Sequence, residues 1–493
     1  MRRLVSLLFF CLIFFSPSFS LAGTFPIDSL LFKVETKANF SGGSNTPFWL
    51  VSNNHGLGSP EFYNGYVRGQ VLIPLDNQKK LAWGGVLDLV GAWNMPGVFR
   101  IQQLFAELKY RRLSISIGSR EYRSSINNPQ LSSGDLLFSG NSLPIPQFRI
   151  GTYEFAPFWG SKDWLAVKAY LAYGTFTDSG WQRHWVAPDT QYTSGVLFCS
   201  RALWFKIGNA EKFPLTLELG AEMATQFGGT IHKNGDKIKM PSRFIDWIKA
   251  FIPFPGNNET PDSERTNVQG NMNGEYSLAI RYSPQSEWDL KLYYEHYFED
   301  QSQMFMQYGF WKDGLLGFDI SVPENPVINK FLYEYISTKD QTGAVNHNYS
   351  EQIPEQVSGQ DGYFDHYLYG PWQTWGMSIS TPLAISPLFN KNHKLIMYDT
   401  RFIAHHIGVE GKPASWIDWR MLMTFSQNWG TYFRPLSERM NDFSGLLEIK
   451  FHHEKLKGFY FSGAIAWDKG KLLGNNFGGM ISIGYNGCLI FIN

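Results

Sequence analysis

Three short stretches of this chain place aromatic rings directly beside amide, carboxylate, imidazole and guanidinium groups: Trp181-Gln182-Arg183-His184-Trp185, Tyr308-Gly309-Phe310-Trp311-Lys312-Asp313 and Tyr363-Phe364-Asp365-His366-Tyr367. Such mixtures suit a sugar, whose C–H faces pack on flat rings and whose hydroxyl edges need paired donors and acceptors. The carbohydrate-binding candidates are therefore Trp181, Arg183, Trp185, Tyr308, Trp311, Tyr363 and Tyr367. An aromatic belt at a membrane interface would supply the same residue types with no ligand at all.

Other chemistry finds less material. His405-His406 and His452-His453 resemble metal-ligand pairs, but neighbours in a strand point to opposite faces, so neither pair can close on one ion. Glu299-Asp300 could form an acid/base pair; after an alternating run it reads instead as a strand leaving the membrane. No nucleophile motif is present. The expectation is a protein without catalysis, metal or cofactor.

The elements that must position these residues follow one pattern. From about residue 31 to 491 the chain returns to segments of roughly ten residues in which apolar and polar side chains alternate, the pattern of a membrane β-barrel. In 215–223 the Leu, Ala and Met side chains share one face of a strand, opposite Thr216, Glu218, Gly220 and Glu222. In 288–295, Trp288, Leu290, Leu292 and Tyr294 oppose Asp289, Lys291, Tyr293 and Glu295.

A soluble sandwich also alternates, and the start of the chain tips the balance. Arg2-Arg3, the apolar run 4–15 and Ser20-Leu21-Ala22 have the form of a signal peptide cleaved after Ala22. Cys11 lies inside the apolar run, which argues against a lipoprotein anchor. No later segment approaches the roughly 20 apolar residues of a membrane helix, so a membrane protein of this sequence must be a closed barrel with every edge paired. The expected domains are a signal peptide at 1–22 and one outer-membrane barrel at 23–493.

Composition agrees. Lys plus Arg and Asp plus Glu both number 43, so charge gives no hint of a nucleic-acid partner. Charged residues make up 17% and aromatic residues 16% of the chain. A lipid-facing surface bordered by Trp and Tyr needs few charges and many rings. Of three cysteines, only Cys199 and Cys488 follow the signal peptide. One bridge between them would be compatible with the sequence, but no spacing rule links them, and the expectation is two unpaired thiols.

Length and spacing suggest about 16 to 20 strands, and about 19 segments can be marked. The clearest are 32–40, 67–75, 81–93, 104–110, 113–120, 165–175, 203–208, 215–223, 278–282 and 288–298. They continue at 316–322, 330–336, 375–383, 396–406, 417–426, 443–452, 459–468 and 477–491. Arg111-Arg112 and 454–457 read as tight periplasmic turns. The stretches 124–146, 228–273, 302–314, 338–370 and 383–394 read as extracellular or lumen-filling loops. Within the second, 242–251 is the best helix, capped by Ser242, with Phe244, Ile245, Trp247, Ile248 and Phe251 on a broad apolar face. Inward Glu218, Glu222, Asp289, Lys291, Asp418 and Arg420 would permit a water-filled lumen or pair across it to hold a plug. The last strand puts Ile481, Ile483, Tyr485, Leu489 and Phe491 on one face and must pair with the first to close the sheet. Phe491 would then belong to a signal for the barrel-assembly machinery.

A series of short motifs also resembles the Wzi capsule-assembly family, in the form found in Bacteroidetes. They are Thr46-Pro47-Phe48-Trp49-Leu50, Gly118-Ser119-Arg120-Glu121, Leu131-Ser132-Ser133-Gly134, Phe138-Ser139-Gly140-Asn141 and Pro144-Ile145-Pro146-Gln147. Further on come Tyr173-Gly174 with Asp178-Ser179-Gly180-Trp181, Ile207-Gly208-Asn209, Tyr294-Glu295-His296-Tyr297-Phe298-Glu299-Asp300 and His405-His406-Ile407-Gly408. The motifs run in order over nearly the whole mature chain. The resemblance implies an all-β transmembrane barrel of about 18 strands that binds capsular or other surface polysaccharide, sits in outer-membrane lipid and helps assemble or attach a capsule. The alternative carried with it is a diffusion channel or transporter. One departure matters: enterobacterial members carry a helical periplasmic segment ahead of the barrel, whereas residues 23–30 here leave only a short tail.

Overall fold

Because each strand alternates, one face must meet an apolar phase and the other the lumen, and a cylinder satisfies both without leaving an edge. A computed structural model describes residues 29–490 except 123, 153, 159, 162, 253–269, 285–286, 300–303, 307–308, 324, 326 and 344–360. The expected signal peptide with Cys11, together with Asp300, Tyr308 and Phe491, lies outside the described residues.

The wall is a closed antiparallel barrel of 18 strands. They are β1 (Ser29–Gly42), β2 (Tyr63–Ile73), β3 (Leu81–Trp93), β4 (Phe99–Tyr110), β5 (Leu113–Ser119), β6 (Gln147–Thr152), β7 (Leu165–Thr175), β8 (Leu197–Ile207) and β9 (Leu215–Phe227). Then follow β10 (Asn271–Tyr282), β11 (Asp289–Glu299), β12 (Gly314–Ser321), β13 (Lys330–Ser337), β14 (Phe402–Ala414), β15 (Ile417–Gly430), β16 (Pro435–His452), β17 (Phe459–Gly470) and β18 (Asn476–Ile490). Ala156–Pro157 continues β6 along β7 after an interruption. Each strand pairs with its sequence neighbours, and β1 closes on β18 in register from Ser29 opposite Ile490 to Gly42 opposite Phe477.

Alternation sorts the two faces as the sequence predicts. Leu203, Phe205 and Ile207 of β8, Leu292 of β11 and Ile481, Ile483 and Leu489 of β18 are exposed on the outside. Each large apolar side chain left in water forgoes about 1.5–3 kcal/mol of burial, so a belt of them requires hydrocarbon around it. This is the architecture of a Gram-negative outer-membrane barrel. Short turns, including Arg111-Arg112 and that around Glu454–Leu456, lie at one end with both terminal strand ends, and by the usual rule that end faces the periplasm.

The lumen is filled at the long-loop end. Residues 124–146 and 361–400 fold inward with the short helix α1 (Phe48–Val51) and bury Leu131, Leu136, Leu137, Tyr363, Phe364 and Trp372. The expected strand at 375–383 is corrected accordingly: it belongs to this plug. Gln373–Thr374 and Met377–Ser378 form a tight hairpin there, and Met377, Ser378, Ile379 and Ser380 are all buried. The alternation has a local use there: Ile379 joins the hydrophobic cluster, while the Ser378 and Ser380 hydroxyls hydrogen-bond to each other at 2.8 Å. The actual strand β6 escaped prediction because it is short and follows an irregular stretch.

Wall carboxylates hold the plug by its backbone. Glu334 accepts from the Ser133 backbone N–H at 2.8 Å and from the Ser132 and Ser133 hydroxyls at 2.7 and 2.5 Å. Glu295 accepts from the N–H of Leu136 and Glu275 from that of Leu137, each at 2.9 Å. On the other side, His406 donates Nε2–H to the Leu131 carbonyl at 2.7 Å, while its Nδ1 accepts from Thr424 at 2.8 Å. Gly408 leaves room for Leu131, since a Cβ there would stand 2.7 Å from the Leu131 Cβ.

The inward charges pair mainly along the wall rather than across the lumen. Lys291 meets Asp319 at 3.1 Å, Arg420 meets Glu448 at 2.7 Å, and Lys206 meets Glu218 at 3.5 Å, all between adjacent strands. Asp289 pairs with Arg281, Asp418 with His452, and Glu222 accepts from the Tyr170 hydroxyl. Arg420 also reaches the plug, donating to the Gln130 carbonyl at 2.8 Å. Cys199 and Cys488 are both free, the first buried and the second exposed.

Candidate functional site

Helix α2 (Ser179–Trp185) interrupts the connection between β7 and β8 at the long-loop rim. Trp181 and Trp185 stand four residues apart and so share one helix face, with rings stacked at 5.1 Å and 23°. The Trp185 ring also stacks on His393 at 5.0 Å, and Trp375 lies 6.2 Å from Trp181. His393 is further fixed by its backbone carbonyl, which accepts from the Ala187 N–H at 3.0 Å.

Asp178 positions this group. Its carboxylate accepts from the Trp375 backbone N–H at 2.9 Å, from the Gln182 amide at 3.0 Å and from the Gln373 amide at 3.4 Å, tying helix to plug. Burial pushes its carboxyl above the ordinary range, against the pull of Gln182 and Trp375. Gln182 passes the link on by accepting from the Thr193 N–H at 2.9 Å. Gly376 is required beside Trp181: its φ is +79°, and a Cβ would fall 2.6 Å from the indole ring.

The half-buried Trp181 and Trp185 edge an open cleft of about 620 Å³. Its other walls come from the β1–β2 connection, the β3–β4 turn and residues 388–393, and they present Asn45, Glu61, Asn94 and Lys391. Flat rings thus face amide, carboxylate and ammonium groups across one space. This arrangement can stack a ring with C–H faces and bond its polar edge.

The other candidates fall elsewhere. Arg183 is exposed but is not among the residues lining this cleft. Tyr367 is 69% exposed with Lys233 over its ring at 3.9 Å, near the stacked pair Tyr192 and His232. Trp311 is 72% exposed on a single helical turn, Phe310–Lys312. Tyr363 is corrected: its ring is fully buried in the plug and its hydroxyl donates to the Thr342 carbonyl at 3.0 Å, so it cannot meet a ligand at the surface. Glu299 is buried at the end of β11. His405 lies outside, bonded to the Tyr333 hydroxyl at 2.8 Å, whereas His406 faces the plug. Sequence reasoning missed His393, Trp375, Glu61 and Asn94, whose proximity arises only from closure of the barrel.

Among solved structures, the fold is similar to that of Wzi from Escherichia coli, at 11% identity over 93% of this chain and 85% of that one, with a TM-score of 0.58. That protein is described as a carbohydrate-binding β-barrel of the outer membrane involved in group 1 capsule assembly. OccK5 (OpdH) of Pseudomonas aeruginosa aligns at 8% identity over 95% of this chain and all of its own, with a TM-score of 0.47. OprD of the same organism aligns at 9% identity over 96% and 98%, with a TM-score of 0.46. No protein-family model matches the sequence. No curated protein matches it either. At these identities the likeness establishes the fold: an outer-membrane β-barrel.

Proposed function

We propose that this barrel binds a surface polysaccharide at its extracellular rim and assists capsule assembly or attachment, as a non-catalytic relative of the Wzi family. The observation that carries the proposal is the stacked Trp181 and Trp185 pair at the edge of an open cleft furnished with Asn45, Glu61, Asn94 and Lys391. A plugged lumen supports it further, because a wall whose Glu275, Glu295 and Glu334 are committed to plug backbone and hydroxyl groups favours a fixed binding platform over a conduit. The family-like motifs and the fold shared with Wzi point the same way.

A second reading, a diffusion channel, draws on cavities of about 350 and 590 Å³ in the lumen, the larger lined by Lys33, Glu35, Asp418 and Lys450. Conduction would require the plug to move. Two measurements on purified protein separate the readings: migration in a gel containing surface polysaccharide from the producing cell, and conductance in a planar bilayer. Retarded migration with a silent bilayer is expected. Unretarded migration with steady open steps would favour the channel.

A further inference from the structure

The connection between β9 and β10 carries helix α3 (Phe244–Phe251). It starts later than the sequence suggested. The Asp246 carboxylate accepts from the Arg243 N–H at 2.7 Å, so the first turn is closed from inside the helix rather than by Ser242.

One face of α3 is attached to the barrel. Ala250 is buried against Cys199 and Phe227, and Trp247 packs on Tyr173 at 5.1 Å and on Phe227 at 5.5 Å. The Tyr173 hydroxyl donates to the Trp247 carbonyl at 2.8 Å. Tyr173, Cys199 and Phe227 share strand parity with Leu203, Phe205, Ile207, Leu215 and Leu219, which are exposed on the lipid side. The helix therefore lies against the outside of the wall, while Phe198 and Ala202 on the opposite parity join the interior core.

Its other face remains apolar. Phe244 is 80% exposed, and Ile245, Ile248, Phe251 and Ile252 are exposed beside it. Height along the wall decides what meets them. Cys199 lies eight residues above Ile207 on β8, which at about 3.4 Å per residue and about 40° of tilt is roughly 20 Å, near the top of an apolar band roughly 25 Å tall. At that level an amphipathic helix with basic neighbours lies in the boundary between acyl chains and headgroups. Arg243 and Lys249 supply the basic groups.

We propose that α3 is a lipid-binding element of the outer leaflet. Acyl chains pack on Phe244, Ile245, Ile248 and Phe251, continuing the belt of β8 and β9, and Arg243 and Lys249 face lipid phosphates. The helix thereby pins the long β9–β10 connection to the membrane surface. The inference is independent of the carbohydrate reading.

The test uses the full chain in vesicles of phosphatidylethanolamine and phosphatidylglycerol, with bimane attached at Phe244→Cys and, separately, at Ile248→Cys in a Cys199→Ser, Cys488→Ser background. Phe433→Cys, in the exposed β15–β16 turn, is the aqueous control. Quenching by doxyl-labelled lipid relative to iodide should exceed that of the control by about threefold or more, as expected for side chains in the acyl boundary. Position 244 stays informative if the Ile248 variant fails to fold, because Phe244 has few protein contacts to lose. Dominant iodide quenching would overturn the proposal by placing the face in water. Quenching by neither agent would overturn it by showing that protein covers the face, whether another segment of this chain, a second copy or a partner.

Discussion

The two halves of the lumen put their wall carboxylates to different work. In the extracellular half, Glu275, Glu295 and Glu334 accept backbone N–H groups of an inserted segment, and the space between them is filled by Leu136, Leu137, Trp372 and Tyr363. In the periplasmic half, Glu218, Asp319 and Glu448 pair with Lys206, Lys291 and Arg420 on adjacent strands, and cavities remain. A barrel wall can thus be polar throughout while part of its lumen is filled by the chain itself. What decides is whether its acceptors are taken by a plug or by neighbours on the wall.

The sharpest way to break this contrast is to release the plug. Glu334→Ala leaves the Ser133 N–H and the Ser132, Ser133 and Tyr293 hydroxyls without their buried acceptor, a loss on the order of 3 kcal/mol, since each unsatisfied buried group costs about 1–3 kcal/mol and such losses do not add fully. The expected result is open steps in a planar bilayer where wild type is silent. Removing the periplasmic partner Glu448 by Glu448→Gln should open nothing, and equal conductance from both variants would refute the distinction.

A smaller effect is expected where plug and rim meet. Gly376→Val forces a side chain into a positive-φ position and against Trp181, costing about 1–3 kcal/mol locally. Near-ultraviolet circular dichroism should report a changed Trp181–Trp185 couplet and polysaccharide binding should weaken severalfold, with the barrel intact by heat-dependent gel mobility.

The smallest effect concerns pH. Burial pushes the carboxyl of Asp313 up to about 6, and it accepts the N–H groups of Asp340 and Thr342 at 3.0 and 2.9 Å. A carboxyl raised on folding contributes stability that is present below its unfolded value near 4 and lost as pH rises through about 6. Hydrogen exchange corrected for intrinsic rates should show those amides losing protection across that window, by at most about 1.4 kcal/mol per pH unit. Asp313→Asn should flatten the profile.

The sequence revealed the wall better than its contents. Leu81–Trp93 and Leu165–Thr175 emerged with the bounds they have in the structure, because a strand between lipid and lumen records its two environments in every second residue. Residues 375–383 carry a similar alternation inside the plug, where Met377 and Ser378 are both buried, and periodicity cannot distinguish lipid from protein. Tyr363 and Tyr367 lie four residues apart in one motif, yet one is fully buried and the other largely exposed. At the rim, Trp181 and Trp185 were legible as a mixed aromatic and polar stretch. Their stacking on His393 was not, because more than 200 residues of chain separate partners that only barrel closure brings together.

Affinity electrophoresis tests the central claim most directly, comparing wild type with a Trp181→Ala, Trp185→Ala double variant in gels containing purified surface polysaccharide from the producing cell. A polysaccharide held by the tryptophan pair predicts that wild type is retarded and that the variant, folded by heat-dependent mobility, binds about tenfold more weakly or worse, equivalent to about 1.4 kcal/mol. Equal retardation of both proteins, or retardation of neither, would contradict it.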